Sequence, residues 1–127
     1  MAAQDRPHQE EVGASQVTNA NKAKGSTFER EVVAVFNANG FPHVERRYGA
    51  GNTVDKGDLN GIQAVIECKN VKSISLASIV DETNRERANS RFKLGVAVIK
   101  RRGKGAEHSY AVMNLTDMCA LLKDAGY

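Results

Sequence analysis

The chain of 127 residues has a formal net charge of +3, with 41% hydrophobic and 26% charged residues. This length suits a single domain with one modest core, and the composition is that of a globular rather than a disordered protein. We expect a cytoplasmic protein, because no apolar run approaches the ~18 residues that span a bilayer and no apolar signal segment opens the chain.

The cysteines and the basic residues narrow the functional classes further. Cys68 and Cys119 belong to no C-x-x-C pair, so a zinc site is not indicated and both are expected to be free thiols. The positive charges are grouped, at Arg46 with Arg47, at Lys69 with Lys72, and at Lys100, Arg101 and Arg102 with Lys104. A solvated face could explain any one group, whereas several groups beside a catalytic centre would bind phosphates.

The first predicted element is a helix over residues 27–39. Ser26 is a suitable N-cap for it, and Gly40 is a suitable C-terminal stop. Its buried stripe would consist of four apolar side chains, those of Phe28, Val32, Val35 and Phe36. Residues 1–23 have no apolar periodicity, so we expect them to form a flexible arm and residues 24–127 to form the domain.

Strands are predicted to follow the first helix. Residues 41–47 would form a strand, with a proline that favours an edge position or the strand entry. The Gly-rich residues 48–56 would form a loop. Residues 58–69 are predicted to form a β-hairpin with Asn60 and Gly61 near its turn.

The second half alternates helices with strands. A helix over residues 76–89 would turn Ile79 inward and mixed charges outward, and the apolar run in residues 94–100 is typical of a buried central strand. A strand over residues 108–113 would follow, and Thr116 would cap a last helix. That helix would turn three apolar side chains inward, those of Met118, Leu121 and Leu122. The order αβββαββα predicts an α/β fold with a mixed central sheet flanked by helices.

The strongest chemical signal is the run Ile66-Glu67-Cys68-Lys69. Alternate residues of a strand share a face, so Glu67 and Lys69 would lie together, opposite the apolar residues. This pair suits a hydrolytic metal site, where the carboxylate binds Mg²⁺ and the ammonium orients the attacking water or stabilises the charged transition state. A surface Glu–Lys pair at a strand end is the alternative interpretation.

Asp58 would supply the second carboxylate that a hard divalent cation needs. A two-residue turn at Asn60 and Gly61 would leave Asp58 ~13 Å from Glu67, too far to share one ion. We therefore expect a wider loop or a bulge that brings Asp58 opposite Glu67, with Asp55 as the reserve candidate. The alternative for Asp58 is a purely turn-forming role.

Glu29 is the third candidate acid. At 100° per residue it falls within the apolar stripe of the first helix, where a carboxylate is costly unless it has a partner such as a metal-bound water. However, Ser26 and Glu29 also match the S-x-x-E capping box, which would make Glu29 a structural cap. The two roles are compatible with each other.

Several segments together resemble the PD-(D/E)XK nuclease superfamily. They are Gly25-Ser26-Thr27-Phe28-Glu29-Arg30, Gly40-Phe41, Gly57-Asp58 and Glu67-Cys68-Lys69. Within the superfamily, the chain is most similar to archaeal-type Holliday junction resolvases and to short resolvase-like nucleases of bacteriophages. The resemblance runs over residues 24–104 and more weakly to the end. It implies a restriction-endonuclease-like core, and a place in the host cytoplasm if the source is viral.

The resemblance also implies a role for each site residue. Asp58 and Glu67 would ligate Mg²⁺ or Mn²⁺, and Glu29 would contact the metal through water. Lys69 would support the nucleophilic water. The implied DNA-binding residues are Lys24, Arg46, Arg47, Lys56, Lys100, Arg101, Arg102 and Lys104.

The chain departs from the family pattern at a few points. Gly57 stands where the motif has proline, and residues 48–56 offer only Asn52 and Thr53 where the archaeal enzymes have a functional serine. These differences bear on the substrate more than on the chemistry. The Gln-x-x-x-Tyr pattern of RecB-type exonucleases is absent after Lys69, which favours an endonuclease.

The main hypothesis is therefore hydrolysis of DNA phosphodiesters, with the four-way junctions of recombination as the substrate. Two symmetrical nicks require a C2 homodimer, whose interface would be the second helix or residues 94–99. One alternative is a restriction-like, single-strand or branched-DNA nuclease on the same fold. Another is a catalytically silent DNA-binding module, although a silent site has no reason to keep Glu29 in an apolar stripe.

Overall fold

The computed structural model describes residues 10–47 and 57–127, with the backbone alone for residues 10–21. These residues form three α-helices, one 3₁₀ helix and five short strands. In chain order they are α1 (Glu10–Ala38), β1 (Glu45–Arg46), β2 (Leu59–Asn60), β3 (Val65–Lys69), α2 (Leu76–Asn89), β4 (Gly95–Ile99), a 3₁₀ helix (Ala106–His108), β5 (Tyr110–Val112) and α3 (Leu115–Asp124). The predicted order αβββαββα and the mixed α/β class are confirmed, and α2 has the predicted bounds.

The larger sheet has three strands in the order β3-β4-β5. β3 and β4 run parallel, with Val65 opposite Gly95 and Lys69 opposite Ile99, and β4 and β5 run antiparallel. Parallel neighbours need a long crossover connection, and α2 provides it. β4 is the central strand and is buried along its whole length, as its apolar run predicts. The sheet is therefore mixed, with a parallel pair at the candidate site.

The core lies on both faces of this sheet. Val96 and Val98 of β4 join one cluster with Phe28 and Val32 of α1, whereas the alternate side chains of β4 face Ile79 of α2. A strand that is covered on both faces buries apolar side chains of both parities, which explains the unbroken apolar run of β4. The inward position of Ile79 is confirmed, and α1 and α2 lie on opposite faces of the sheet.

Two predictions about the first half are wrong. Ser26 does not cap the first helix, because α1 begins at Glu10 and carries Ser26 in its interior. Residues 10–23, predicted as an arm, are thus helical in backbone. Residues 58–69 also do not form the predicted hairpin, because β2 and β3 do not pair with each other. Instead, β2 pairs with β1 in a separate antiparallel sheet, and β3 pairs with β4.

The prediction for the last helix is wrong in two respects. Its N-cap is Asn114 rather than Thr116, which lies one residue inside α3. The apolar side chains expected to face inward are instead about two-fifths exposed, at 41% for Met118 and for Leu121 and 40% for Leu122. Amphipathic spacing shows that a helix has an apolar face but does not identify what covers it. Among the described residues, no helix is long and apolar enough to cross a membrane.

Candidate active site

Glu67 and Lys69 lie at the carboxyl end of β3, on the face turned towards α2. The alternate residues Ile66 and Cys68 pack into the apolar cluster beneath α1. The side chains of Glu67 and Lys69 therefore lie on the opposite face of the strand. Glu67 is only 6% exposed, although it is a charged residue. The sequence prediction that these two residues share a face is confirmed, whereas a simple surface pair does not describe so buried a carboxyl group.

Asp58 is fastened to the free edge of β3 by its backbone and by its side chain. Its N–H donates to the carbonyl oxygen of Ile66 at 2.8 Å, and its Oδ2 accepts the N–H of Cys68 at 2.7 Å. Residues 61–64 bend between β2 and β3 instead of forming a two-residue turn. The wide loop expected from the distance argument is therefore present, and Asp58 lies next to Glu67 in the structure.

Gly57 explains how Asp58 approaches the strand so closely. Its φ is +93°, a region that L side chains rarely adopt. A Cβ at this position would lie 2.9 Å from the carbonyl oxygen of Ile66 and 2.9 Å from Cγ1 of Val65. Proline, which fixes φ near −65°, could not adopt this conformation. The departure from the family's proline thus has a local physical reason.

The carboxyl group of Asp58 holds its proton more tightly than an exposed aspartate. Burial raises its pKa to about 7, and the charge of Glu67 raises it as well, against the hydrogen bond from the Cys68 N–H. Glu29 adds a smaller increase in the same direction. Because neighbouring acids oppose each other's ionisation, the proximity of Glu67 and Glu29 favours the protonated form of Asp58.

Glu67 faces two further acids, which the sequence prediction missed. Burial raises its pKa to about 8, and a hydrogen bond with Glu86 and the charge of that residue raise it as well. Oxygen atoms of Glu67, Glu82 and Glu86 all lie within 4.8 Å of one another, close enough to hold one divalent cation. Within the part of the chain that the structure describes, no such group of three includes Asp58 or Glu29.

The spacing of α2 could have revealed Glu86. Ile79, Thr83 and Glu86 are the buried residues of this helix, and they follow one another at intervals of four and three. That interval defines one helical face, so Glu86 lies on the stripe that Ile79 begins. The expectation that the mixed charges of α2 point outward is wrong for Glu86, which is 3% exposed.

Lys69 bridges the strand and the helix. Its Nζ lies 3.1 Å from Oε1 of Glu82 and 3.4 Å from Oε2 of Glu67. Burial opposes its charge, but the hydrogen bond to Glu82 and the charge of Glu67 outweigh burial and raise its pKa. The amine is therefore an ammonium at neutral pH, and it lies between the carboxyl groups of Glu82 and Glu67.

Glu29 lies on α1, where its carboxylate forms an ion pair with Arg46. The Nε of Arg46 lies 3.0 Å from Oε1 of Glu29, and its Nη2 donates to Oγ of Ser26 at 3.2 Å. Because Ser26 is inside the helix, the capping-box interpretation of Glu29 is wrong. Glu29 is near enough to affect Asp58 electrostatically, and its hydrogen-bonded partner in the structure is Arg46.

The predicted DNA-binding residues fall into two groups. Lys24, Lys100 and Arg102 line one cleft with Lys72, beyond the carboxyl ends of β3 and β4. This cleft is completed by Asn70, Val71, Ile74 and Gly103, so no acid lines it among the described residues.

The other basic side chains have protein neighbours or lie apart from the cleft. Arg46 pairs with Glu29, Nη2 of Arg47 donates to the Leu59 carbonyl at 3.4 Å, and the Arg101 guanidinium lies 5.5 Å from the Tyr110 ring centroid. Lys104 is exposed, and its carbonyl accepts the Nζ of Lys100 at 2.6 Å. Lys56 and Asp55 are outside the described residues.

Comparisons of the chain with protein-family models, with curated proteins and with solved structures find no match. The geometry of the side chains is therefore the basis on which a function can be assigned. Both cysteines are free, with Cys68 half-buried and Cys119 exposed.

Proposed function

We propose that the chain is a Mg²⁺- or Mn²⁺-dependent DNA endonuclease of the PD-(D/E)XK superfamily that resolves four-way junctions. The observation that carries the proposal is the meeting of Asp58, Glu67 and Lys69 at the end of β3. Asp58 comes from the segment before β3, whereas Glu67 and Lys69 belong to β3 itself, and the burial of the two acids is costly. A fold that only needed stability would place apolar side chains there.

The architecture supports the restriction-endonuclease-like core. The family resemblance implies a mixed sheet in which an acid and a lysine follow each other on a strand, with a helix packed on either face. β3, α2 and β4 have this arrangement, and α1 covers the opposite face. Asp58 enters from the segment before β3, as the family pattern requires.

The donor set fits a hard divalent cation. Asp58 and Glu67 offer carboxylate oxygens, which are the ligands that Mg²⁺ prefers, and burial, together with the charge of neighbouring acids, raises the pKa of both groups. A bound divalent cation would compensate their negative charge and would lower the pKa of a coordinated water. Glu82 and Glu86 share Glu67 with this pair and offer an alternative ligand group. Asp58→Asn and Glu86→Gln variants would distinguish the two groups by their effects on Mg²⁺ affinity.

Each residue then has a definite task. Asp58 and Glu67 would hold the cation, and the N–H of Cys68 orients the carboxyl group of Asp58. Lys69 presents an ammonium that steadies the attacking water and the negative charge of the phosphate. Glu29 would contact the cation through water, and Arg46 holds its carboxylate in place.

The acid-free cleft supports DNA as the partner. Lys24, Lys72, Lys100 and Arg102 meet in it, and it begins at Asn70, the residue after Lys69. A nucleic acid strand that presents a phosphate to Glu67 and Lys69 would continue across these cations, whose attraction for the backbone is independent of sequence. The proposed site and the proposed binding surface are thus contiguous.

A homodimer completes the proposal, because two symmetrical nicks require two copies of one site. The predicted interface at residues 94–99 is excluded by the burial of β4 inside its own subunit. We assign the interface to α3, whose apolar side chains are exposed. These are Leu115, Met118, Leu121 and Leu122. A Leu121→Glu variant should be monomeric in sedimentation and should cut junctions without pairing the nicks.

The decisive experiment is a cleavage assay with Mg²⁺ on a synthetic four-way junction, alongside linear duplex and single strands. Glu67→Gln should bind the junction without cutting it, and Glu31→Gln, an exposed control on α1, should behave as wild type. Paired nicks that are selective for the junction support a resolvase. Equal cutting of all substrates indicates a general nuclease instead, and tight binding without cutting by the wild type indicates a silent DNA-binding module.

A further inference from the structure

We propose that Glu82 is a positioning residue, one that holds the ammonium of Lys69 in place for the reaction. This inference rests on the proposed nuclease function, since it assigns a residue to the same site. Glu82 belongs to α2 and not to the strand that carries Glu67 and Lys69. Neither the sequence pattern nor the family resemblance assigns it a role.

The geometry makes Glu82 the nearer of the two carboxylates to Lys69. Its Oε1 lies 3.1 Å from the Nζ of Lys69, whereas Oε2 of Glu67 lies at 3.4 Å. The lysine side chain is 24% exposed, so its ammonium is partly removed from water and its partners determine where it points. Glu82 is 38% exposed, so its carboxylate lies where the site is open to solvent.

The carboxylates of Glu67 and Glu82 would have different roles during the reaction. Glu67 is the residue that would hold the divalent cation, and a carboxylate that binds a cation is a weaker acceptor for an ammonium. Glu82 would keep the nearer contact with Lys69 in that state. Without it, the long and flexible lysine chain would be free to adopt several rotamers, and a misplacement of about 1 Å can cost up to ~10²-fold in rate.

Glu82 also contributes a negative charge close to a site that must accept phosphate. That charge opposes DNA binding, so a role in binding the substrate does not account for it. Positioning and substrate binding therefore make opposite predictions for its removal. A variant that lacks the charge should bind DNA at least as tightly as wild type and should still react more slowly.

The test compares Glu82→Ala and Glu82→Gln with wild type on the junction in Mg²⁺. Asp81→Ala is the matched control, since Asp81 is the exposed neighbour on α2 and its loss changes the net charge equally. We expect Glu82→Ala to lower kcat at least ~10-fold with KM unchanged or reduced. Glu82→Gln, which keeps an oxygen acceptor for the ammonium, should recover most of that loss, and Asp81→Ala should cut at the wild-type rate.

The outcomes separate this inference from the function on which it rests. If wild type cuts the junction and Glu82→Ala cuts equally fast, the inference is overturned and the nuclease stands. If Glu82→Ala raises KM while kcat is unchanged, the residue acts on the substrate and the inference again fails. If wild type cuts no DNA, the proposed function fails and the inference fails with it. Thermal unfolding of both alanine variants should be alike, because both side chains are solvent-accessible.

Discussion

The two faces of β3 are built on opposite principles. Ile66 and Cys68 turn towards α1 and pack among apolar side chains, whereas Glu67 and Lys69 turn towards α2 and meet two more acids. Burial of the apolar face therefore stabilises the folded chain, whereas desolvation of the charged face destabilises it. Within the five residues of β3, one face thus stabilises the fold and the other carries the proposed function. Substitutions can therefore perturb each face alone.

The largest expected effect is on the apolar face. Phe28→Ala removes a ring that is 1% exposed beneath β3 and β4, and it should cost about 3–5 kcal/mol in the free energy of unfolding. Phe41→Ala is the matched control, since this ring is 45% exposed and packs edge-on against Phe36. It should cost no more than about 1.5 kcal/mol. Equal losses in urea unfolding would contradict the position assigned to the core.

The charged face should respond to cation rather than to packing. At pH 8, Mg²⁺ at 100 times its Kd should stabilise the wild type by about 2.7 kcal/mol, because the cation binds the folded chain and compensates its buried carboxylates. The same concentration should have almost no effect on the melting temperature of Glu67→Gln, whereas Glu31→Gln should respond as wild type does. An undiminished Mg²⁺ response in Glu67→Gln would remove Glu67 from the cation site.

The metal-free protein should lose stability as the pH rises. Burial raises the pKa of Asp58 from 3.8 to about 7 and that of Glu67 from 4.5 to about 8. Between about pH 4 and pH 8 the folded chain therefore binds more protons than the unfolded chain, so the free energy of unfolding falls with rising pH. The fall should be at least ~1 kcal/mol, since one unit of pKa corresponds to about 1.4 kcal/mol. Glu67→Gln should flatten this profile in denaturant titrations with EDTA, and a steeper profile would contradict the assignment.

The smallest expected effect concerns the cleft beyond β3. Arg102→Ala should reduce the slope of log affinity against log salt concentration by about 1, as expected for the loss of one phosphate contact. Lys123→Ala removes an equal charge from the exposed face of α3 and should leave the slope unchanged. Fluorescence anisotropy with a labelled junction would measure both, and identical slopes would exclude the cleft from the DNA interface.

The contrast between the two faces also explains what the sequence could predict. The apolar run of β4 and the bounds of α2 follow from local spacing, so both were predicted and found. The identity of Glu67 and Lys69 as a pair follows from strand alternation. Glu86 was missed because acids on a helix are usually solvated, and only the packing of α2 against β3 determines that this one is buried.

Long-range packing accounts for the remaining differences. Ser26 has the chemistry of an N-cap, but helix-forming residues precede it and α1 continues through it. The partner of α3 cannot be read from its spacing, since the same apolar stripe suits a core or an interface. The approach of Asp58 to β3 required a wide loop, which a distance argument predicted, and a glycine conformation, which it did not.

Gly57 also bears on how this chain tolerates mutation. Its Cα lies so close to β3 that any side chain would push the following aspartate away from the strand edge. Gly57→Ala should therefore displace Asp58 and impair its function, even though the substitution alters no functional group. A saturation mutagenesis scan scored by DNA cleavage should find position 57 as intolerant of substitution as the acids themselves. Because glycine has no side chain, that result would show that the close approach of the backbone to β3 is part of the proposed catalytic site.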